Sequence, residues 1–157
     1  MDARGVSPLK KVWIDGLAKG NHIKGKSEAA VGILVKDAEK KEGLSIRIKE
    51  LLTNNEAEYA ALLFAARYLK LMGVKGEDVF IFTDSALVAN QMNGVWKTKD
   101  KKFVPVQDEI KSLLNDFNVS YIWVSRDKNK EADKLANKAI KDENSALCSM
   151  WTEFGSN

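Results

Sequence analysis

Alternation of apolar and polar residues marks three early strands, in KKVWIDG (10–16), AAVGILVKD (29–37) and LSIRIKELL (44–52). Their β-branched content suits a pleated, half-buried surface. The intervening LAKGNHIKGKSE and AEKKEG carry glycine and charge, and are short enough for antiparallel hairpins. The period then changes. From about Glu56 to Met72, the residues Tyr59, Leu62, Ala66 and Leu69 recur at helical spacing, and Gly73 is a common stop. VFIFT (79–83) is a continuous apolar run, which predicts a strand covered on both faces. A helix from about Ser85 to Met92 follows, then one over roughly Val106 to Phe117, a buried strand VSYIWV (119–124), and a last helix from about Lys130 to Lys141. The order β-β-β-α-β-α-α-β-α predicts an α/β fold with one mixed sheet, hairpins first and parallel crossovers after, with helices packed against it.

Residues 1–157 read as a single domain with its core at about 10–141. The tail 144–157 has weak periodicity; Met150, Trp151 and Phe154 either pack on the body or belong to a frayed end. A charged fraction of 30% with both signs mixed fits a folded, soluble protein, and no run reaches the length of a membrane span. No secretory signal is visible in MDARGVSPLKK, and the single cysteine, Cys148, suits a reducing cytoplasm. One Cys and one His exclude a Cys/His zinc site. A net charge of +3 permits nucleic-acid binding without demanding it. Lysines cluster around Trp96 in WKTKDKK (96–102), a composition that suits a phosphate backbone or simply a solvated loop.

The acids change the picture. Glu58 lies four residues before Leu62 and eleven before Leu69, on or beside the apolar stripe of its helix. A buried charge without a partner is costly. Thr53 and Glu56 form a T-x-x-E capping box, which gives Glu56 a structural task and leaves Glu58 without one. Asp15 ends the run Val12-Trp13-Ile14 and precedes Gly16, a pattern shared by turns and by strands with a close backbone approach. Asp84 follows VFIFT at the carboxyl end of a strand, where open α/β sheets place ligands, although it could also cap the next helix in competition with Ser85. Asp133 lies one turn inside the last helix, behind Asn129 as a cap. Four acids gathered at one sheet edge would repel and raise each other's pKa. Divalent cations relieve that repulsion, and Mg²⁺ prefers hard oxygen ligands.

In these residues the chain resembles type 1 ribonuclease H, from about Lys10 to Ile140, in a smaller form without an extended basic protrusion. The matching pieces are Asp15-Gly16 with Gly20-Asn21 downstream, Thr53-Asn54-Asn55-x-x-Glu58, Thr83-Asp84-Ser85, and Asn129-x-x-x-Asp133 after Trp123-Val124. The resemblance implies an RNase H-like fold: a five-stranded mixed sheet, its first three strands antiparallel, with helices on both faces. It implies endonucleolytic cleavage of the RNA strand of RNA–DNA hybrids by a monomer. Asp15, Glu58, Asp84 and Asp133 would be catalytic and would bind two Mg²⁺ ions, with Mn²⁺ as a substitute, giving 5′-phosphate and 3′-hydroxyl ends. Substrate contacts are implied for Gly16, Asn21, Thr53, Asn54, Asn55, Trp96 and Arg126.

The chain departs from the family in two places. Many members carry a mobile histidine before the last helix; here the loop reads SRDKNK, with Arg126 in the comparable place. Arginine stays protonated and cannot shuttle protons near neutral pH. Leu17-Ala18 replaces the small polar residues that commonly follow strand-one Asp-Gly. His22 reads as a surface residue of the first hairpin turn, and Trp13 and Trp123 read as core. Rival readings are an RNase H-like binding module without activity, a proofreading-type exonuclease and a detached reverse-transcriptase domain. Four acids facing a phosphate backbone would serve a pure binder badly, and the Asp-x-Glu usual in strand one of such exonucleases is absent.

Overall fold

The computed structural model describes residues 9–21, 26–142 and 144–150, the side chains of residues 21, 26 and 27 excepted. The expectations for His22, Trp151 and Phe154, and for the side chain of Asn21, lie outside these residues.

Strands β1 (Leu9–Asn21), β2 (Lys26–Lys36) and β3 (Lys41–Ile48) form an antiparallel meander. The first hairpin is longer than its sequence suggests. Residues 17–21, read as linker, continue β1 and pair with residues 26–30. Helix α1 (Asn54–Met72) follows, then β4 (Asp78–Thr83), α2 (Ala86–Met92), α3 (Val104–Leu113), β5 (Asn118–Trp123) and α4 (Lys130–Lys141). Helix α3 starts earlier than expected because Pro105 is accommodated in its first turn, where no amide is required.

The five-stranded expectation is corrected. The sheet has six strands in the order β5-β4-β1-β2-β3-β6, and the additional strand, β6 (Ala146–Cys148), pairs parallel to β3. Its three residues carry too little alternation to be read from sequence. Polar contacts hold it: Glu50 accepts hydrogen bonds from Ser149 Oγ (2.6 Å) and Met150 N (2.7 Å), and Arg67 donates to the Met150 carbonyl (3.0 Å). Met150 is buried against the core.

Helices cover both faces unequally. Val31 and Ile33 of β2 join the core cluster with α1, whereas Gly32 between them faces α4. The α1 stripe of Tyr59, Leu62, Ala66 and Leu69 is fully buried. Gly73 ends α1 for want of space rather than for a left-handed turn: φ is −82°, and a Cβ would lie 2.6 Å from the Leu69 carbonyl oxygen. On the other face α4 packs over β1, β2 and β3, so β4 is not covered on both sides as its apolar run suggests. Val79, Ile81 and Thr83 are buried, while Phe80 and Phe82 are only half-buried, Phe82 stacking on Trp13 at 4.9 Å. Strand β5 is a sheet edge, and Trp123, expected in the core, is exposed.

Candidate active site

The parallel pairing of β1 with β4 runs from Leu9↔Asp78 to Ile14↔Thr83 and stops. Asp15 and Asp84 stand one residue beyond this pairing, Asp15 inside β1, which continues along β2, and Asp84 just past the carboxyl end of β4, where open α/β sheets collect ligands. Glu58 reaches them from the second turn of α1. The Gly16 amide donates to its Oε1 at 2.6 Å. Gly16 permits this approach, since a Cβ there would sit 2.0 Å from the Ala57 carbonyl oxygen. Asp15-Gly16 is therefore a strand site and not a turn; Gly16 pairs with Val31 of β2.

Carboxylate oxygens of Asp15, Glu58 and Asp84 all lie within 4.8 Å of one another. Burial, and then the charges of Glu58 and Asp84, push the Asp15 carboxyl up to about 9; Asp133 adds a side-chain hydrogen bond and its own charge. Burial also pushes Glu58 up to about 8, with Asp84 contributing, while the Gly16 amide and the Arg126 charge oppose the rise. Groups held this way keep protons or exchange them for a cation. The donor set is oxygen only, which fits a hard divalent ion. Asp133 is exposed on the first turn of α4 and borders the same cleft. Of the four acids singled out in the sequence, three are in mutual contact range and the fourth stands on the rim.

Neighbours hold the acids in place. Ser85 caps α2, its Oγ accepting from Val88 N at 3.2 Å, which leaves Asp84 free of that duty. Asn129 is buried but does not cap α4 as its position suggests. Its Nδ2 donates to the Ile14 carbonyl at 2.9 Å and to Asp84 Oδ2 at 3.4 Å, tying the start of α4 to both acid-bearing strands. The Trp123 indole donates to the Asp84 carbonyl at 3.2 Å. Sequence gave Trp123 no such task, because a strand-end tryptophan reads as core.

Gly16, Asn54, Asn55 and Arg126 line the acid cleft, joined by Lys19, Leu87, Lys130 and Asn137, which sequence did not single out. Asn55 and Leu87 also line an adjoining depression with Trp96, Lys97, Lys99 and Phe103. Trp96 is 47% exposed. Its segment is anchored inside: Gln107 Nε2 donates to Thr98 Oγ1 (2.9 Å) and to the Tyr59 hydroxyl (2.8 Å), beside Glu58. Thr53 completes the capping box, its Oγ1 accepting from Glu56 N (3.2 Å) and its amide donating to Glu56 Oε1 (2.8 Å). Thr53 is exposed but does not line the cleft.

A mixed sheet with its meander first, parallel strands after it and acids where the β1–β4 pairing stops defines the RNase H-like class of α/β proteins. Residues 15–139 match the family model described as reverse transcriptase-like, and the chain belongs to that family. Among solved structures, LC11-RNase H1 in complex with an RNA/DNA hybrid superposes with a TM-score of 0.74 at 29% identity, covering 84% of this chain and 96% of that one. RNase H1 from Halobacterium salinarum gives a TM-score of 0.69 at 32% identity, over 85% of this chain and 98% of that one. The uncharacterized protein YpeP of Bacillus subtilis is 38% identical over 101 residues, 63% of this chain. The match spans 43% of YpeP, less than half its length.

Proposed function

We propose that this protein is an endonuclease that hydrolyses the RNA strand of RNA–DNA hybrids. The observation that carries the reading is the meeting of Asp15, Glu58 and Asp84 within 4.8 Å, in a cleft open to solvent. Likeness to proteins named ribonuclease H supports it, including one solved with a hybrid. In this reading Asp15, Glu58 and Asp84 hold Mg²⁺, with Asp133 on the rim completing the set. The chemistry supplied by a bound pair of Mg²⁺ ions is Lewis-acid activation of water and stabilisation of the leaving 3′ oxygen, for 5′-phosphate and 3′-hydroxyl ends.

The chain's own residues do the rest. The Gly16 amide orients Glu58, while Asn129 and the Trp123 indole fix Asp84 from its carboxylate and carbonyl sides. Arg126 offsets part of the negative field and receives phosphate. Telling RNA from DNA requires a contact to the 2′-hydroxyl. Asn54 and Asn55, amides on the cleft wall, suit that task together with the Gly16 backbone, and Asn21 follows by family resemblance. Trp96 with Lys97 and Lys99 forms the neighbouring wall and suits the DNA strand. Thr53 is assigned to a backbone phosphate beside it.

A labelled-strand assay on hybrid, duplex RNA and duplex DNA, with Mg²⁺ or EDTA, tests the reading. Cleavage confined to the RNA of the hybrid and lost in EDTA is expected. An intact hybrid in Mg²⁺, or equal cleavage of duplex DNA, overturns it.

A further inference from the structure

We propose that the outer face of α4 is a second nucleic-acid surface, a lysine track that receives a single-stranded RNA extension of the substrate as it leaves the acid cleft. The inference rests on the hybrid-nuclease reading for its substrate, and on the geometry of α4 for its location.

The rotation of α4 is fixed by packing. Ala132, Ala136 and Ala139 are buried, and the helix sits so close to β2 that a Cβ on Gly32 would meet the Ala132 carbonyl oxygen at 2.1 Å. Leu135 lies over Gly43 of β3. The opposite face therefore looks to solvent, and it carries Lys130, Lys134, Lys138 and Lys141, all exposed. Steps of four, four and three residues keep these side chains on one stripe. A four-residue step rises about 6 Å, comparable with the spacing of successive phosphates along an extended single strand.

The stripe is rich in lysine and continuous with the cleft. None of the four lysines takes part in an ion pair among the described residues, whereas Lys41, Lys70 and Lys102 all do. Of the nearby acids, Glu131 pairs with Lys41 at 2.7 Å, and Asp142 stands at the far end of the stripe, its Oδ1 accepting from Asn144 N at 2.9 Å. Lys134, Asn137, Lys138, Lys141 and Asp142 share one shallow depression, while Lys130 and Asn137 also line the acid cleft. Asn137 is the junction. It accepts from Lys19 Nζ at 2.8 Å and donates to the Asp133 carbonyl at 2.9 Å. A solvated face with no partner would tolerate either sign. A single sign along this stripe, starting beside four acids that repel phosphate, suits a strand that must be held despite them.

Fluorescence anisotropy in EDTA, where no cleavage intervenes, tests the track. The probes are a labelled blunt hybrid and the same hybrid with a short single-stranded RNA tail at the 5′ or the 3′ end. Wild-type protein is expected to bind one tailed form several-fold more tightly than the blunt form. A Lys134→Gln, Lys138→Gln, Lys141→Gln variant should bind both alike. Its salt slope on the tailed probe should be shallower by about 2, at about 0.7 per single-strand phosphate contact. Lys138→Gln alone, the mildest change, should lose part of the tail effect at an unchanged melting temperature.

No tail preference in the wild type, or an equal loss on blunt and tailed probes in the variant, overturns the track. Normal Mg²⁺-dependent cleavage with no tail effect defeats the track and leaves the nuclease reading standing. A tail effect in a protein that cleaves no hybrid supports the track and defeats the nuclease reading.

Discussion

The amide of Gly16 donates to Oε1 of Glu58 over 2.6 Å, and this one bond joins the strand that carries Asp15 to the helix that carries Glu58. The contact requires that position 16 have no side chain, because β1 and α1 are already in van der Waals contact there.

Gly16→Ala should be severe. Its Cβ would stand 2.0 Å from the Ala57 carbonyl oxygen and 2.7 Å from the Glu58 amide, both backbone atoms that cannot swing aside. Strand and helix must separate, and a displacement of about 1 Å at a catalytic group costs about 10²-fold in rate. We expect hybrid cleavage to fall by at least that factor with a lower melting temperature. Near-native turnover would show that the contact is dispensable.

Asp84→Asn should abolish cleavage and, without metal, stabilise the fold. Asp15 and Glu58 have folded values of about 9 and about 8, raised first by burial and then by neighbouring acids, against ordinary values of 3.8 and 4.5. Between the ordinary and folded values the native state binds more protons than the unfolded chain, so stability falls as pH rises through that window. In EDTA, wild type should melt higher at pH 5 than at pH 8. Asp84→Asn removes one repelling charge and should melt higher than wild type at pH 8, by about 3 °C or more. Mg²⁺ should raise the wild-type melting temperature at pH 8 and move the variant less, since metal binding displaces the same protons. A wild-type melting temperature in EDTA indifferent to pH would contradict this account, and cleavage by the variant would remove Asp84 from its role.

Two glutamates two residues apart should separate cleanly. Glu56 closes the capping box, and a Gln there still accepts from the Thr53 amide. Glu56→Gln should keep cleavage within a few-fold of wild type, whereas Glu58→Gln should lose nearly all of it. Equal losses in a side-by-side assay would mean that the two assignments are wrong.

Arg126 borders the cleft and draws the Glu58 carboxyl down by its charge. Arg126→Ala should slow turnover several-fold at saturating hybrid while leaving cleavage detectable. An unchanged kcat would return this residue to the surface loop it otherwise resembles.

Much of the site was legible in sequence because local signals mark the positions of the acids. Thr53 and Glu56 announced the head of α1, and Asp84 followed an unbroken apolar run. What escaped were features set by distant packing. Asn129 stands where a helix cap belongs, yet its amide is drawn into the β1 carbonyl ladder at Ile14, a contact across 115 positions that no local pattern encodes. Trp123 looked like core because period and composition cannot reveal that β5 is an edge. VFIFT looked doubly covered because an apolar run does not say which helix reaches it. The β6 strand pairs with β3, and the residues just after it are anchored by Glu50 and Arg67, polar partners far from it in the chain.

The last rung between β1 and β4, Ile14↔Thr83, has a consequence for how this chain can vary in length. One residue inserted between Leu9 and Ile14 would break the register of β1 against β4 and turn the side chains on one side of the insertion to the reverse face of the sheet. The same insertion in the exposed turn at residues 38–40 would leave that register untouched. Gain and loss of residues is thus open to the molecule at the β2–β3 turn and closed to it along the two strands whose pairing brings the acids together.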